Sequence, residues 1–291
     1  MQINKNTVFI FDISNFIHRA FHATGELTTS DGFPTGAIWG SLNMMLRFIE
    51  KYKPTHMLIC YDSQSGKSIR RDIYPQYKAN RTQVNSVSVE EKVLRKLFDM
   101  MNIYSIESDG YEADDLIAAA VKDLKGSMDV VIVTGDKDLL QLIEPGVQVF
   151  DSMKNIWYDD KEALNKFGVD ANQISDYLAL AGDKADNIPG GAGIGPKAAQ
   201  DLLASYASIE DIFDNIDEIS EKYRDKLIKS TELIRISKRL TSLYNDIPGI
   251  KISPEYVIFR PIDNPDIYTL LDRLEFKNMA VKLELMWQAY N

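Results

Sequence analysis

The sequence predicts an α/β fold with a mostly parallel sheet flanked by helices, on three observations. Residues 7–11 (TVFIF), 56–61 (HMLICY) and 130–133 (VVIV) are unbroken apolar runs rich in β-branched and aromatic side chains, as strands covered on both faces require. Helical patterns stand between them, at 36–52 (GAIWGSLNMMLRFIEKY) and 111–125 (YEADDLIAAAVKDLK). Each run also leads into acid: Asp12, Asp62, and the pair Asp136 and Asp138 in VVIVTGDKD. A turn explains one such aspartate. It does not explain three strand ends alike, and in an open parallel sheet ligands sit beyond the carboxyl ends of the strands. Asp12, Asp62, Asp136 and Asp138 are therefore expected to converge on one spot.

The remaining elements follow in order. Residues 146–158 alternate enough to form a hairpin or edge strands, and Asp160 is placed to cap a helix over 161–167. Charged helical patterns over 220–244 and 266–287 are expected to pack on the core. A boundary near residue 160 divides an α/β core (1–160) from a helical part (161–291). There is no internal repeat or low-complexity tract.

Composition sets the outer limits. With 291 residues, 45% hydrophobic and 26% charged, the chain can bury a sizeable core. No apolar run reaches the length of a membrane span, and the start, MQINKNTVFIF, lacks a signal-peptide pattern; a cytoplasmic protein with no membrane partner is the expectation. Cys60 is the one cysteine, which excludes a disulfide and a cysteine-based zinc site and fits a core position. His18, His22 and His56 show no ligand-like spacing. The net charge of −10 argues against a coat protein that reads phosphates with surplus Lys and Arg, an argument that weakens if the acid is gathered at one metal site.

Two further acid groups stand outside the strand ends. Glu112, Asp114 and Asp115 open the helical pattern of YEADDL, where acids in a first turn suit the macrodipole without any other role. On a helical wheel Glu112 and Asp115 are neighbours and Asp114 lies on the opposite flank, so all three need not meet one ion. Asp183 and Asp186 in LAGDKADNIPG would read as a loop on their own. They run, however, into NIPGGAGIGPK and the apolar pattern AAQDLLASY: a glycine-rich turn whose amides, backed by a helix N-terminus, can bind phosphate, or else a tight inter-helix turn. Basic residues concentrate at 67–81 (KSIRRDIYPQYKANR) with two tyrosines interleaved. A solvated segment is one reading; beside the acids, cations next to rings read as a grip on single-stranded nucleic acid.

Asp12 with Arg19 (FDISNFIHRAF), Asp62 followed by Arg70 and YKANR, then GYEADD, TGDKDLLQL and GDKADNIPGGAGIGPKAA, in this order and over nearly the whole chain, resemble the 5′-nuclease family: the 5′→3′ exonuclease domain of bacterial DNA polymerase I, phage 5′-exonucleases and flap endonucleases. The resemblance implies a PIN-like nuclease core and an arch or clamp at about 65–105. It also implies a helix-hairpin-helix element near 183–205 that grips duplex DNA, often with K⁺. It implies two Mg²⁺ ions, for which Mn²⁺ can substitute, held by acids matching Asp12, Asp62, Glu112, Asp114, Asp115, Asp136, Asp138, Asp183 and Asp186. Lys78 and Arg81 match catalytic residues at the foot of the arch. Arg19, Arg70, Tyr77, Lys78, Arg81, Gly190, Gly193, Gly195 and Lys197 match DNA contacts. Polymerase-linked members commonly carry prolines after the YK..R motif, whereas this chain reads RTQVNSVSVEEKVLRKLFDMM, which leaves the arch's shape open.

The implied chemistry suits the composition. Phosphodiester hydrolysis needs positive charge at the reacting phosphate, which two divalent ions about 3.5–4 Å apart supply, and hard cations take oxygen ligands. The expected activity is a metal-dependent 5′→3′ exonuclease or flap endonuclease, acting as a monomer on DNA with a 5′ flap, nick or free 5′ end, RNA-primed ends included, in a bacterial or phage-infected cell. A PIN-like ribonuclease would share the strand-end acids but lack the glycine-rich hairpin. A non-catalytic branched-DNA binder would keep the hairpin and lose acids. This sequence keeps both.

Overall fold

The computed structural model describes residues 3–80 and 85–290. In chain order its elements are β1 (Thr7–Asp12), α1 (Ile13–Thr24), α2 (Gly36–Tyr52), β2 (His56–Cys60), α3 (Ile69–Ile73), α4 (Asn85–Met100), β3 (Ser105–Ile106), α5 (Ala113–Leu124), β4 (Asp129–Val133), β5 (Val147–Asp151), β6 (Ile156–Tyr158), α6 (Asp160–Phe167), α7 (Ile174–Ala181), α8 (Pro196–Leu203), α9 (Ile209–Asp214), α10 (Glu221–Lys229), α11 (Thr231–Thr241), α12 (Pro265–Arg273) and α13 (Lys277–Tyr290). The sheet runs β3-β2-β1-β4-β5-β6; neighbours pair in parallel except β6, which pairs antiparallel with β5. The hairpin expected at 146–158 is this edge.

The apolar strands are apolar throughout because both faces are covered. Val8, Ile10, Leu58, Cys60, Val130 and Ile132 point into a core shared with α5, α7 and α8. Their alternates Phe9, Phe11, Met57, Ile59, Val131 and Val133 point into a second core with α1, α2 and α4. Period-two alternation in a covered sheet thus feeds two apolar layers. Ile267, Leu271, Leu283 and Trp287, from α12 and α13, join the second core. The last two helices therefore return to the sheet, while α7 to α11 lie on the other side.

Two long helical patterns are divided, each for a local reason. The pattern over 220–244 breaks between α10 and α11 at Ser230, a buried residue whose hydroxyl accepts the Ala192 amide of the glycine turn at 2.9 Å. The pattern over 266–287 breaks before α13, where Glu275 takes a left-handed φ of 62°. Of the stretch expected to arch at about 65–105, residues 85–100 form α4, with Leu94, Leu97 and Phe98 buried in the second core. Residues 81–84, and with them Arg81, lie outside the described residues.

Candidate active site

β1 ends where the sheet's connections diverge, with β2 on one side and β4 on the other, the position where open α/β sheets form a crevice. The register sets Asp12 opposite Cys60 and Phe11 opposite Val133, so the residues after β2 and β4 emerge beside Asp12. There a cavity of about 470 Å³ is lined by Asp12, Asp62, Asp114, Asp136 and Lys78, together with Ser14, Asn15, His18, Phe21, His22 and Ala113. Of the strand-end acids, Asp12, Asp62 and Asp136 converge on this cavity, whereas Asp138 is not among its lining residues.

Each acid is held by a local device. Asp12 caps α1, accepting from the Asn15 amide at 3.1 Å, and its other oxygen accepts from Thr134 Oγ1 at 2.7 Å. The Thr134 hydroxyl in turn accepts from the Asp136 amide at 2.9 Å, and Asp136 Oδ1 accepts from the Asp138 amide at 2.9 Å. The TGDKD turn is therefore one chain of hydrogen bonds ending at Asp12. Asp62 accepts from the Ala113 amide at 2.8 Å, at the N-terminus of α5, where the helix dipole favours a carboxylate. Gly135 is small for a reason: a Cβ there would lie 1.7 Å from Arg19 Nη1.

The second group comes from the helical part. Lys78, with a left-handed φ of 53°, donates its amide to the Asp186 carbonyl at 3.0 Å, while the Asn187 side chain donates to the Gln76 carbonyl and the Asn80 side chain to the Lys184 carbonyl. These bonds clip the loop after α3 to the loop of Asp183 and Asp186. Lys78 Nζ then reaches Glu112 at 2.7 Å and Asp186 at 3.7 Å, and Lys137 Nζ reaches Asp183 at 3.0 Å.

The electrostatics of this crowd are strained. Burial, reinforced by the charge of Asp136, pushes the Asp12 carboxyl up to about 7. Burial and then Asp136, with Asp183 and Asp186 adding to it, push Asp138 up to about 7. Burial with Asp136 and Asp12 raises Asp114 well above the ordinary carboxylate range. Like charges in a low-dielectric site cannot all ionise unassisted. Asp138 Oδ1 is buried with no hydrogen-bond partner among the described residues, an orphaned acceptor that a cation would satisfy. An oxygen-only donor set fits a hard divalent ion. Among the described residues no three of the acids, histidines and cysteine already stand as a ligand set; Lys78 and Lys137 pair with them instead.

Several sequence-derived site residues stand elsewhere. Asp115 is fully buried; Arg70 Nη1 and Nη2 each reach it at 2.7 Å, and the Glu112 and Tyr244 amides donate to it. It closes a capping box with Glu112 and does not line the cavity. Arg70, 3% exposed, gives Nε to the Leu240 carbonyl and a second Nη2 hydrogen to the Ser242 carbonyl, and its Nη1 lies 3.7 Å from Glu112, so it is turned away from any phosphate in the cavity. Tyr77 is 3% exposed, packed with Ile188 and Leu240, and its hydroxyl donates to Glu112 at 3.1 Å; no base can stack on it in this arrangement. Arg19 forks onto Asp151. The Gly190 amide is spent on Ser237 Oγ, and a Cβ on Gly190 would meet the Gly182 nitrogen at 2.5 Å, which makes it a packing glycine. The amides of Gly193 and Gly195 make no hydrogen bond among the described residues; Gly195 caps α8, and Lys197 is exposed in its first turn beside Asp201.

Sequence reasoning missed five cavity residues on α1 or its start: Ser14, Asn15, His18, Phe21 and His22. The signal was the four-residue spacing of His18 and His22 on a helix that begins at Asp12, which sets both on one face.

Comparison with known proteins agrees with this architecture. Residues 7–168 match the 5′-3′ exonuclease N-terminal resolvase-like domain, and residues 169–265 match the 5′-3′ exonuclease C-terminal SAM fold. The 5′-3′ exonuclease of Aquifex aeolicus is 35% identical, over 97% of this chain and 96% of its own. DNA polymerase I of Caldicellulosiruptor bescii is 39% identical over 95% of this chain. The chain spans about a third of the length of such polymerase relatives. T5 5′-exonuclease, solved with divalent metal ions (zinc), superposes with a TM-score of 0.66 at 23% identity, covering 96% of this chain and 99% of that one. The catalytic core of Rad2 with a DNA substrate gives 0.63 at 15% identity, covering 99% and 94%. Two consecutive family domains, matched across most of the chain, make this protein a member of the 5′-3′ exonuclease family.

Proposed function

We propose that the cavity is the catalytic centre of a metal-dependent 5′→3′ exonuclease and flap endonuclease that hydrolyses DNA phosphodiester bonds near a free 5′ end. The observation that carries this reading is the crowding of carboxylates at the carboxyl ends of the central strands, where Asp12, Asp62, Asp114 and Asp136 line one cavity. Asp12, Asp62, Asp114 and Asp136 would hold one divalent ion from the cavity wall. Asp138, Asp183 and Asp186 would hold a second, with Glu112 between the two groups. Mg²⁺ fits the donor set, and Mn²⁺ shares its preference for oxygen. When bound there, two such ions would supply positive charge at the reacting phosphate.

The chain's own residues supply the rest. Lys78, held by Glu112 and by the Asp186 backbone, directs a positive charge at the scissile phosphate. Arg81 follows three residues later and is proposed for the same task. The Gly193 and Gly195 amides and the start of α8 take the duplex backbone, and K⁺ is proposed at this turn. Asp115 and Arg70 are proposed as a structural clamp. Relatives of bacterial origin support action in the cytoplasm of a bacterial or phage-infected cell, and a monomer suffices, since one chain supplies every group named. Cleavage of 5′-labelled flap, nicked and single-stranded DNA with and without Mg²⁺ tests the reading: metal-dependent release from the flap's 5′ side is expected, and no cleavage of any of these substrates would refute it.

A further inference from the structure

We propose that Arg95, on α4, is a positioning residue for Asp62, tying the helix that follows the Lys78 segment to the acid at the end of β2. The proposal rests on the reading of Asp62 as a metal ligand. Arg95 lies with its guanidinium 3.7 Å from the centroid of the Tyr61 ring, and Tyr61 is the buried residue immediately before Asp62. Its Nη2 also approaches the Asp62 carbonyl at 3.5 Å. Two carboxylates fix the guanidinium: Glu91, one turn earlier on α4, at 2.7 Å, and Glu107, just past β3, on Nη1. The same two carboxylates hold the far end of the loop, since Glu107 accepts from the Gln64 amide at 2.8 Å and Glu91 from the Gln64 side chain at 3.1 Å.

The segment from Tyr61 to Gln64 is thus enclosed by a ring of Arg95, Glu91 and Glu107, none of which lines the cavity. Without it Asp62, an exposed residue in a loop, is held among the described residues by the Ala113 amide and a long contact from its own amide to Ser14 Oγ at 3.4 Å. A planar guanidinium can stack on a ring and fork onto two carboxylates at once; an ammonium cannot do both. Arg95→Lys keeps the charge between Glu91 and Glu107 but loses this geometry, so it separates positioning from charge balance.

The test is Mg²⁺ binding measured by calorimetry, without DNA, on wild type, Asp62→Asn, Arg95→Ala, Arg95→Lys and the double variant Asp62→Asn/Arg95→Ala, with thermal unfolding as a check on folding. Changing a partner that orients a metal ligand typically lowers affinity about 10–100-fold. Arg95→Ala is expected to weaken Mg²⁺ binding about 10-fold, Arg95→Lys to recover less than half of that loss, and the Arg95→Ala effect to vanish in the Asp62→Asn background. Unchanged affinity in Arg95→Ala, full recovery in Arg95→Lys, or an undiminished effect in the double variant would overturn the proposal. If Arg95→Ala does not fold, Arg95→Lys alone decides, by whether it binds Mg²⁺ like wild type. Should Asp62→Asn itself bind Mg²⁺ like wild type, it is the metal reading of Asp62 that fails, which separates the two claims.

Discussion

Lys78 Nζ, at the cavity wall, stands 2.7 Å from Glu112 Oε2 at the cap of α5, although the two residues lie 34 positions apart. Burial works against the Lys78 charge, but Glu112 and Asp186 outweigh it and hold its proton affinity well above the ordinary lysine value. A fixed charge beside a reacting phosphate matters most as negative charge develops. Lys78→Ala is expected to slow single-turnover cleavage by about 10²–10³, the usual cost of one such donor, while flap binding falls much less. Equal losses in the two, compared by fluorescence binding and quench kinetics, would remove the transition-state role.

Asp114 and Asp115 are adjacent in sequence and opposite in role. Asp115→Ala would strand the buried Arg70 guanidinium, and breaking a buried pair on one side costs about 3–5 kcal/mol. Urea unfolding should show that loss. Asp114→Asn, at the cavity wall, should leave the unfolding midpoint at or above the wild-type value and abolish Mg²⁺-dependent cleavage. The reverse pattern would exchange the two assignments.

The acid crowd also sets a pH dependence. Asp12 and Asp138, ordinary carboxyls with values near 4 when unfolded, are raised to about 7 when folded. Between those limits the folded state binds more protons, so metal-free protein should become more stable as pH falls from about 8 towards 5. Mg²⁺ must displace the same protons, so its affinity should rise with pH through about 7. Calorimetric titrations and melting curves at four pH values check both signs; a metal-free protein that melts lower at pH 6 than at pH 8 would contradict them.

The glycine turn separates two further residues. Gly190→Ala would drive a methyl group into the backbone of Gly182 and should lower the melting temperature by several degrees. Gly193 has a left-handed φ of 75°, and the nearest neighbour of a Cβ there would be the flexible Lys226 side chain, at 3.4 Å. Gly193→Ala should therefore cost about 1 kcal/mol in backbone strain and weaken binding of unflapped duplex DNA without changing Mg²⁺ affinity. Duplex binding unaltered in Gly193→Ala would make the turn a structural connection only.

The sheet was legible because a strand buried on both faces has no choice but apolar residues, and an acid at its end then stands out. Helices 36–52 and 111–125 were legible from periodicity, and their observed bounds differ by no more than two residues. The breaks at Ser230 and Glu275 were not, since each depends on a distant contact or a backbone angle that periodicity does not carry. Within the site, the strand ends put Asp12, Asp62 and Asp136 together and the family resemblance added Asp114 and Lys78, but neither could separate lining residues from supports. Arg70, Tyr77 and Asp115 carry the residue types of a phosphate grip and a metal ligand, yet burial turns them inward. His18 and His22 were passed over because their four-residue spacing was not read as one helix face, while the helix capped by Asp12 carries both to the cavity.

The most direct test is single-turnover cleavage of a 5′-flap DNA by Asp136→Ala, with Mg²⁺ present and flap binding measured alongside. Asp136 lines the cavity, accepts the Asp138 amide and raises its neighbours' carboxyls, so no other acid is so central to the cluster. The account predicts a folded protein that binds the flap with near wild-type affinity and does not cleave it. Cleavage at a near wild-type rate would contradict it.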